Sequence, residues 1–594
     1  MPTIFARVCR LRRVLAPALG VVMAGVSHSA LAQLVPLPPG QVVTGPIGNL
    51  DGPSVPSLTT GAAANFYTGS VEGGFIPGAP AAVVKTSVPT QFVRFFNNND
   101  PNTLGPAVGP WIATSNSVRG LTAAQVKNIL ALPDLPTSVA IINLPAGTCI
   151  LGGQGNPALG NFPANPPAVP TPGPWGAAGA PQYYIVGQDS GSGCAAPQST
   201  VVLTATVMLN MGTYALAYAP NAGGGNTGSV ANALDHAVFP APFTAMDSVY
   251  NSLDLLNFTN PAQLRWALSQ LGGEINADLA SVSVEAGRNF LDVVGQRLQS
   301  VSSATSPLTT SASVTPDGRG QVWFNAAAGA GSIDGDGNSH AFNFNSAVIA
   351  AGFDYRIAPR STLGIVLGFT PSAFSTSGLA GSGSAYGYYA GLYGSYGAGP
   401  LYVDAVASFG TTSFSVSRQI AFPGQFGITT AQTNSNAFLS AVEVGYRTRP
   451  FDATTVTPFA GLQSVSLWQN AFSEYGAGAL NLDVAARSMT SLRSVLGAEV
   501  ARNFALGDSL GLQARLRLGW AHELAGVDRS IMASFQQLPG ASFQVTGAEP
   551  SWNAALVGFE LSTEGAARLF LRYSGEFSQA QSGHGATVGL TARF

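Results

Sequence analysis

Few residues in this chain could do chemistry. Histidine is the most telling, because imidazole serves many hydrolytic centres as base and many zinc sites as ligand. The five present are His28, His236, His340, His522 and His584, so residues 33–235 contain none. Residue type alone then excludes a Ser-His-Asp or Cys-His unit from that stretch. Its carboxylates, Asp51, Glu72, Asp100, Asp134 and Asp189, are scattered and offer no obvious pair for glycosidic cleavage. Asp334-Gly335-Asp336-Gly337 opens like a calcium loop. Its sixth position is Ser339 where Gly is needed and its twelfth Asn345 where Glu is needed, so a turn between strands is expected. Catalytic residues, metal and cofactor are all expected to be absent, and the chain is expected not to be an enzyme.

The cysteines point to compartment instead of catalysis. Arg7, Arg10, Arg12 and Arg13 precede an apolar run from Val14 to Val26, and Ala30-Leu31-Ala32 offers a small-residue cleavage site before Gln33. Residues 1–32 therefore read as a secretion leader, and Cys9 leaves with it. Export puts Cys149 and Cys194 in an oxidising compartment. A single disulfide is the reading, and two unpaired buried thiols are the alternative. Four of the 26 basic residues belong to the leader, so the remainder sets 22 against 29 acidic ones, a formal charge of −7. No nucleic-acid partner is expected from that balance.

Composition fixes how such a chain meets its surroundings. Charged residues make up 9% and hydrophobic ones 46%, with 71 Gly and 40 Pro. A soluble domain carries about 25% charge, so surface must be hidden in lipid, in a partner or in extended Gly/Ala/Thr-rich structure. After the leader no run reaches the roughly 20 apolar residues of a spanning helix. Lipid contact, if present, must come through strands.

The elements follow from periodicity. Residues 33–230 are Pro/Gly/Ala-rich and lean towards β, with strands expected at Val139–Ile142, Tyr183–Val186 and within Val201–Tyr218, and one short helix over Leu121–Leu130. A linker, Pro220–Ser229, closes this segment. Residues 231–319 turn helical. Asn260 before Pro261 is a helix start, and Leu264, Leu268, Leu271, Ile275, Leu279, Val282, Ala286, Phe290, Val294 and Leu298 follow at steps of three and four. Gly272-Gly273 interrupts them. Arg288, Asp292, Gln296 and Arg297 occupy the other faces, on a helix ending near Ser300 and long enough to cross a bilayer core. From Gly320 to Phe594 the period becomes two. Leu363, Ile365, Leu367 and Phe369, for example, alternate with Thr362, Gly364, Val366 and Gly368. One face is apolar and ends in aromatics, while the other is mostly Gly, Ser, Arg and Asp, as in a transmembrane barrel. Twelve strands are expected, starting near Val322, Ala347, Leu363, Tyr386, Leu401, Ala437, Val456, Leu492, Leu512, Ala555, Leu569 and Ala586. The fold class is mainly β: a C-terminal 12-stranded antiparallel transmembrane barrel with a pore helix, preceded by a β-leaning segment.

Several motifs within this frame occur together and in order. Ala267-Leu268-Ser269-Gln270-Leu271-Gly272-Gly273-Glu274, Ala350-Ala351-Gly352-Phe353-Asp354-Tyr355-Arg356, Glu443-Val444-Gly445-Tyr446-Arg447, Pro458-Phe459-Ala460-Gly461-Leu462, Gly519-Trp520 and Tyr573-Ser574-Gly575 are the clearest. From about Ala233 to Phe594 the sequence resembles the autotransporter (type V secretion) outer-membrane β-domain. Thr587, Gly589 and Phe594 are similar to that family's terminal barrel-assembly signal. Gly507-Asp508-Ser509-Leu510 spells the signature of a lipase family found among autotransporter passengers, but lies between two barrel strands and reads as a turn.

The resemblance implies a precursor with a leader (1–32), a surface-exposed passenger (33–230), a helical linker and pore helix (231–319) and a barrel (320–594). Its partners would be outer-membrane lipid, the Sec translocon and the outer-membrane barrel assembly machinery. Arg288 and Arg297 would face lumenal acids such as Glu443, Glu499 and Glu560. The family's helix sometimes carries an Asn-Asn self-cleavage pair, which is absent between Asn260 and Ser300. The implied function is self-export of the passenger to the cell surface for adhesion or surface interaction. The alternatives are a surface enzyme, or a porin-like channel with a periplasmic N-terminal half.

Overall fold

The computed structural model describes residues 43–44, 81–86, 90–97, 109–132, 134–154, 180–189, 191, 194, 201, 204–210, 217–240, 244–302, 310–506, 510–564 and 567–592. All belong to the second of two units, Pro39–Phe594. Ala30, Ala32 and Gln33 at the leader junction, residues 507–509, and Phe594 lie outside the described residues.

Twelve antiparallel strands form the largest element: β1 (Gly320–Ile333), β2 (Phe342–Ala358), β3 (Ser361–Thr376), β4 (Gly381–Ala398), β5 (Leu401–Phe422), β6 (Gln425–Tyr446), β7 (Thr454–Gln469), β8 (Arg487–Leu506), β9 (Leu510–Glu523), β10 (Asn553–Glu564), β11 (Ala567–Phe577) and β12 (Gln581–Ala592). Each pairs with its successor, and β1 pairs with both β2 and β12, so the sheet closes on itself. The count agrees with the alternation in the sequence. The described connections at one end, 359–360, 399–400 and 447–453, are short; the other end carries 334–341, 377–380, 423–424 and 578–580 together with the two long ones, 470–486 and 524–552. Such asymmetry is usual for outer-membrane barrels, with short turns in the periplasm. No described helix is long and apolar enough to cross a membrane.

Strand length exposes what the simple alternation missed. β5 has 22 residues, about 70 Å of chain, whereas crossing lipid takes about 9–11. In its first half Leu401, Val403, Ala405, Ala407 and Phe409 point outward, and Tyr402, Asp404 and Ser408 point inward. From Thr411 the faces exchange character: Thr411, Ser413, Ser415 and Gln419 point out, while Phe414, Val416 and Ile420 are buried inside. Lipid wets the first half and water the second. For the same reason β2, β4, β6 and β8 begin at Phe342, Gly381, Gln425 and Arg487, ahead of the expected Ala347, Tyr386, Ala437 and Leu492.

Helices fill the water-wetted half. They are α1 (Gly225–His236), α2 (Ala245–Thr259), α3 (Pro261–Gly272) and α4 (Ile275–Ser302). Asn260 caps α3 by accepting from the Gln263 N–H, and Pro261 occupies its first turn. Gly273, at φ 68°, ends α3 in the left-handed conformation that favours glycine. The stretch Pro220–Ser229 is not an extended linker. It holds a helical turn, Ala219–Ala222, and the start of α1, whose Val230 and Leu234 are buried. Leu253 of α2 and Leu264, Leu268 and Leu271 of α3 join Val230, Leu234, Phe414, Val416, Ile420, Phe535, Phe543 and Val545 in one core. Each such side chain contributes about 1.5–3 kcal/mol by leaving water.

The N-terminal segment forms two small sheets. One orders Val43–Thr44, Ala81–Lys85, Thr148–Gln154, Pro181–Gln188 and Trp111–Ile112; the other places Ser138–Leu144 between Thr90–Phe96 and Thr204–Asn210. The helix Ala123–Ile129 begins with a capping box between Thr122 and Gln125. Cys149 and Cys194 are disulfide-bonded, with their Cα atoms 5.7 Å apart.

Candidate functional site

The lumen of the lipid-wetted half is occupied by α4. Its 28 residues span about 42 Å, so it runs from the water-wetted core down through the barrel. The apolar stripe Phe290, Val294 and Leu298 packs against Trp323, Val348, Val366, Tyr389 and Leu439 of the wall. Phe290 stacks on Tyr389 at 5.1 Å. It does so because wall position 368 is glycine: a Cβ there would stand 2.3 Å from the Phe290 ring.

Polar contacts fix the other faces of α4. The Arg297 guanidinium donates to both oxygens of Asp354 on β2, at 2.7 and 3.1 Å, and to Gln321 at 2.7 Å. Tyr393 donates to the same Asp354 and accepts from the Trp323 indole N–H, so one carboxylate orders helix and three strands. Arg288 donates to Ser491 and to Glu523, 3.0 Å away, and pairs with Glu285 within the helix. Asp292 lines a cavity of about 210 Å³ beside the helix, together with Gln296, Arg493, Arg517, Arg572 and Glu576.

The acids expected to meet α4 are not the ones it uses. Glu443 is bonded to Arg517, and Glu499 to Arg515 and Arg517, all on the wall itself. Glu560 lies directly across the ladder from Arg515 and Arg572, yet both its oxygens lack a protein partner. Asp354 and Glu523 serve α4 instead. Asp354 was visible only as part of a strand motif. Nothing in the sequence tells which lumenal carboxylate lies at the height of which arginine.

Above the bilayer the junction of α3 and α4 is bolted to the rim. Arg418 of β5 donates to both oxygens of Glu474 and to the carbonyls of Gln270 and Leu480. Glu274 accepts from the His340 N–H and from the His340 imidazole at 3.1 Å. That hydrogen bond raises the imidazole above its ordinary value, against partial burial, which lowers it. Asp336, in the calcium-like stretch, accepts from Asn338 N, Ser339 N and Ser339 Oγ; it shapes the β1–β2 loop as an Asp turn. The N-terminal segment is tied to the same helices. Arg119 donates twice to Asp254 of α2 at 2.6 Å and lies among the rings of Tyr218, Tyr250 and Phe239. Asn116 donates to Asp247.

Of the terminal signal, Thr587 is buried in β12 and Gly589 lies in the same strand. No cluster of His, Cys, Asp or Glu suited to a metal ion occurs among the described residues.

Residues 322–576 match the family model described as "Autotransporter beta-domain". Two curated proteins, each named "Extracellular serine protease" from Serratia marcescens, are similar at 27% and 26% identity over 357 residues, or 60% of this chain. The match spans about a third of the length of those relatives, 33% in each. Among solved structures, the translocator domain of NalP from Neisseria meningitidis matches at 18% identity and TM-score 0.39, covering 52% of this chain and 98% of that one. The β domain of the Bordetella protein BrkA matches at 19% identity and TM-score 0.33, covering 46% and 99%. The expectation that the chain is not an enzyme is corrected here, because the curated relatives are named as proteases.

Proposed function

Since residues 322–576 of this chain are an autotransporter β-domain, seated in the outer membrane with an exported passenger, we propose that the passenger is residues 33–230 and that it stays displayed for adhesion or surface interaction. The exchange of polarity between the faces of β5 at Phe409 and Thr411 carries this reading. It divides the barrel into a lipid-wetted half, threaded by α4, and a water-wetted half that α1 to α3 fill. Folding of those helices against Phe414, Val416 and Ile420 supplies apolar burial on the outer side alone, which favours outward movement without ATP. The leader cleaved between Ala32 and Gln33 directs the chain through the Sec translocon, and Thr587, Gly589 and Phe594 present β12 to the assembly machinery. Arg288, Asp292 and Arg297 hold the helix in the lumen once export ends. The Cys149–Cys194 bridge closes in the oxidising periplasm or beyond.

Protease added to intact cells tests the display. The part of residues 33–230 that precedes the helical cap should be degraded while cap and barrel survive. A segment protected until the outer membrane is opened would instead make the chain a channel with a periplasmic N-terminal half. The names of the curated relatives favour a second reading, a hydrolytic passenger. Residues 33–235 hold no histidine, so such a centre would use another base. Turnover of peptide or ester substrates, together with labelling by a serine-reactive phosphonate, would establish it.

A further inference from the structure

The lipid-facing surface of the barrel is almost free of charge. Of the Arg, Lys, Asp and Glu side chains described on the twelve strands, only Arg502 of β8 falls on the outward set, in line with Leu496, Ala498, Val500 and Phe504. Its neighbour Glu499 points into the lumen, held by Arg515 and Arg517. A cation on this surface is unfavourable near the bilayer centre and tolerated at the headgroups. Arg502 lies four residues from the periplasmic end of β8, at headgroup level.

Aromatic side chains frame this cation. The guanidinium lies 5.5 Å from the centroid of Phe504, within cation–π range. Thr454 is paired across the ladder with Arg502 on one side and Phe451 on the other. Directly opposite residues share a face, so Phe451 and Arg502 flank one small threonine on the outer surface. Phe451 is 72% exposed, and Val500 and Leu496 continue the exposed apolar column towards the membrane centre. Arg449, also exposed, lies with Phe451 in the short strand Thr448–Phe451 that pairs with the start of β7.

We propose that this patch binds the headgroup of an anionic phospholipid in the periplasmic leaflet. The phosphate sits on Arg502, with Arg449 as the second cation. The glycerol lies between Phe451 and Phe504, and an acyl chain follows Val500 and Leu496. Charge complementarity selects the occupant: a headgroup with a net negative charge leaves the arginine neutralised, whereas the ammonium of phosphatidylethanolamine competes with it for the phosphate.

The test uses the full chain purified in mild detergent, titrated with phosphatidylglycerol or phosphatidylethanolamine and read by native mass spectrometry. Wild type should retain phosphatidylglycerol preferentially. Arg502→Gln should weaken that retention about fivefold, the weight of one cation near an anionic lipid surface, and Arg502→Lys should keep most of it. Phe451→Ala should weaken retention at unchanged charge, which keeps the test open if the arginine variant does not assemble a heat-modifiable barrel. Equal retention of both lipids by wild type, or undiminished phosphatidylglycerol on Arg502→Gln, overturns the proposal. Displacement of the lipid by soluble glycerol phosphate also overturns it, because the site would then be one for free anions.

Discussion

Individual side chains hold the helical cap to the barrel rim, and their chemistry makes two predictions. His340 gains a partner in Glu274 on folding, so its imidazole titrates above the ordinary value of about 6.5. A group raised in this way contributes stability that is fully present below the unfolded value and is lost as pH rises through the folded one. Hydrogen-exchange protection at the α3–α4 junction, corrected for the intrinsic rise of exchange with pH, should therefore fall as pH rises above the ordinary imidazole value, and His340→Gln should flatten that dependence; wild-type protection independent of pH would refute the pairing. Arg418 and Glu474 are both almost fully buried, and leaving one of them without the other costs about 3–5 kcal/mol. Arg418→Ala should thus expose α3 to trypsin while the lower barrel stays folded. Little of this was legible beforehand. Arg418 lies in an alternating strand, and nothing in that alternation points to its partner, Glu474, 56 residues away. Gly368 is one more small residue in an alternating strand as far as the pattern goes, and only the helix packed against it shows that Phe290 needs the space.

At the scale of elements, the sequence identified type and number well and length poorly. Period-two alternation revealed all twelve strands, and steps of three and four revealed α3 and α4, because one solvent wets one face along each of those stretches. It misplaced strand starts wherever the wetting changed along the strand, since a template of apolar-out and polar-in stops matching at Thr411 although the hydrogen-bonded ladder continues to Phe422. α1 was hidden by Gly223-Gly224-Gly225, whose composition suggests a linker while its position starts a helix. Two substitutions separate the halves. Leu367, outward on β3 and 67% exposed, faces hydrocarbon, so Leu367→Arg should cost about 2–4 kcal/mol. Ser415, outward on β5 above the exchange, faces water, and Ser415→Arg should change stability by about 0.5 kcal/mol or less. Urea unfolding in lipid vesicles reads both. Equal losses would place the bilayer edge elsewhere.

The whole molecule contains separate apolar cores, and they need not melt together. One lies in the N-terminal sheets around Phe92, Ile142 and Ile150, one in the capped upper barrel, and one between α4 and the lower wall. The disulfide belongs to the first alone, closing a loop with a sequence separation of 45. In the loop-entropy account such a bridge stabilises its own unit by up to about 4 kcal/mol. It contributes nothing to a sheet closed by β1 against β12. Chains with several units depart from two-state unfolding, so heating should release the N-terminal segment first and the barrel much later. A reductant should lower only the first step, measured by tryptophan fluorescence from Trp111, and leave the heat-modifiable migration of the barrel unchanged. Cys149→Ala with Cys194→Ala should reproduce the reduced behaviour without reductant. If the barrel step moved in parallel, the ties from Arg119 and Asn116 to α2 would be joining display segment, cap and barrel into one cooperative body, and removing them by Arg119→Ala should then separate the two transitions.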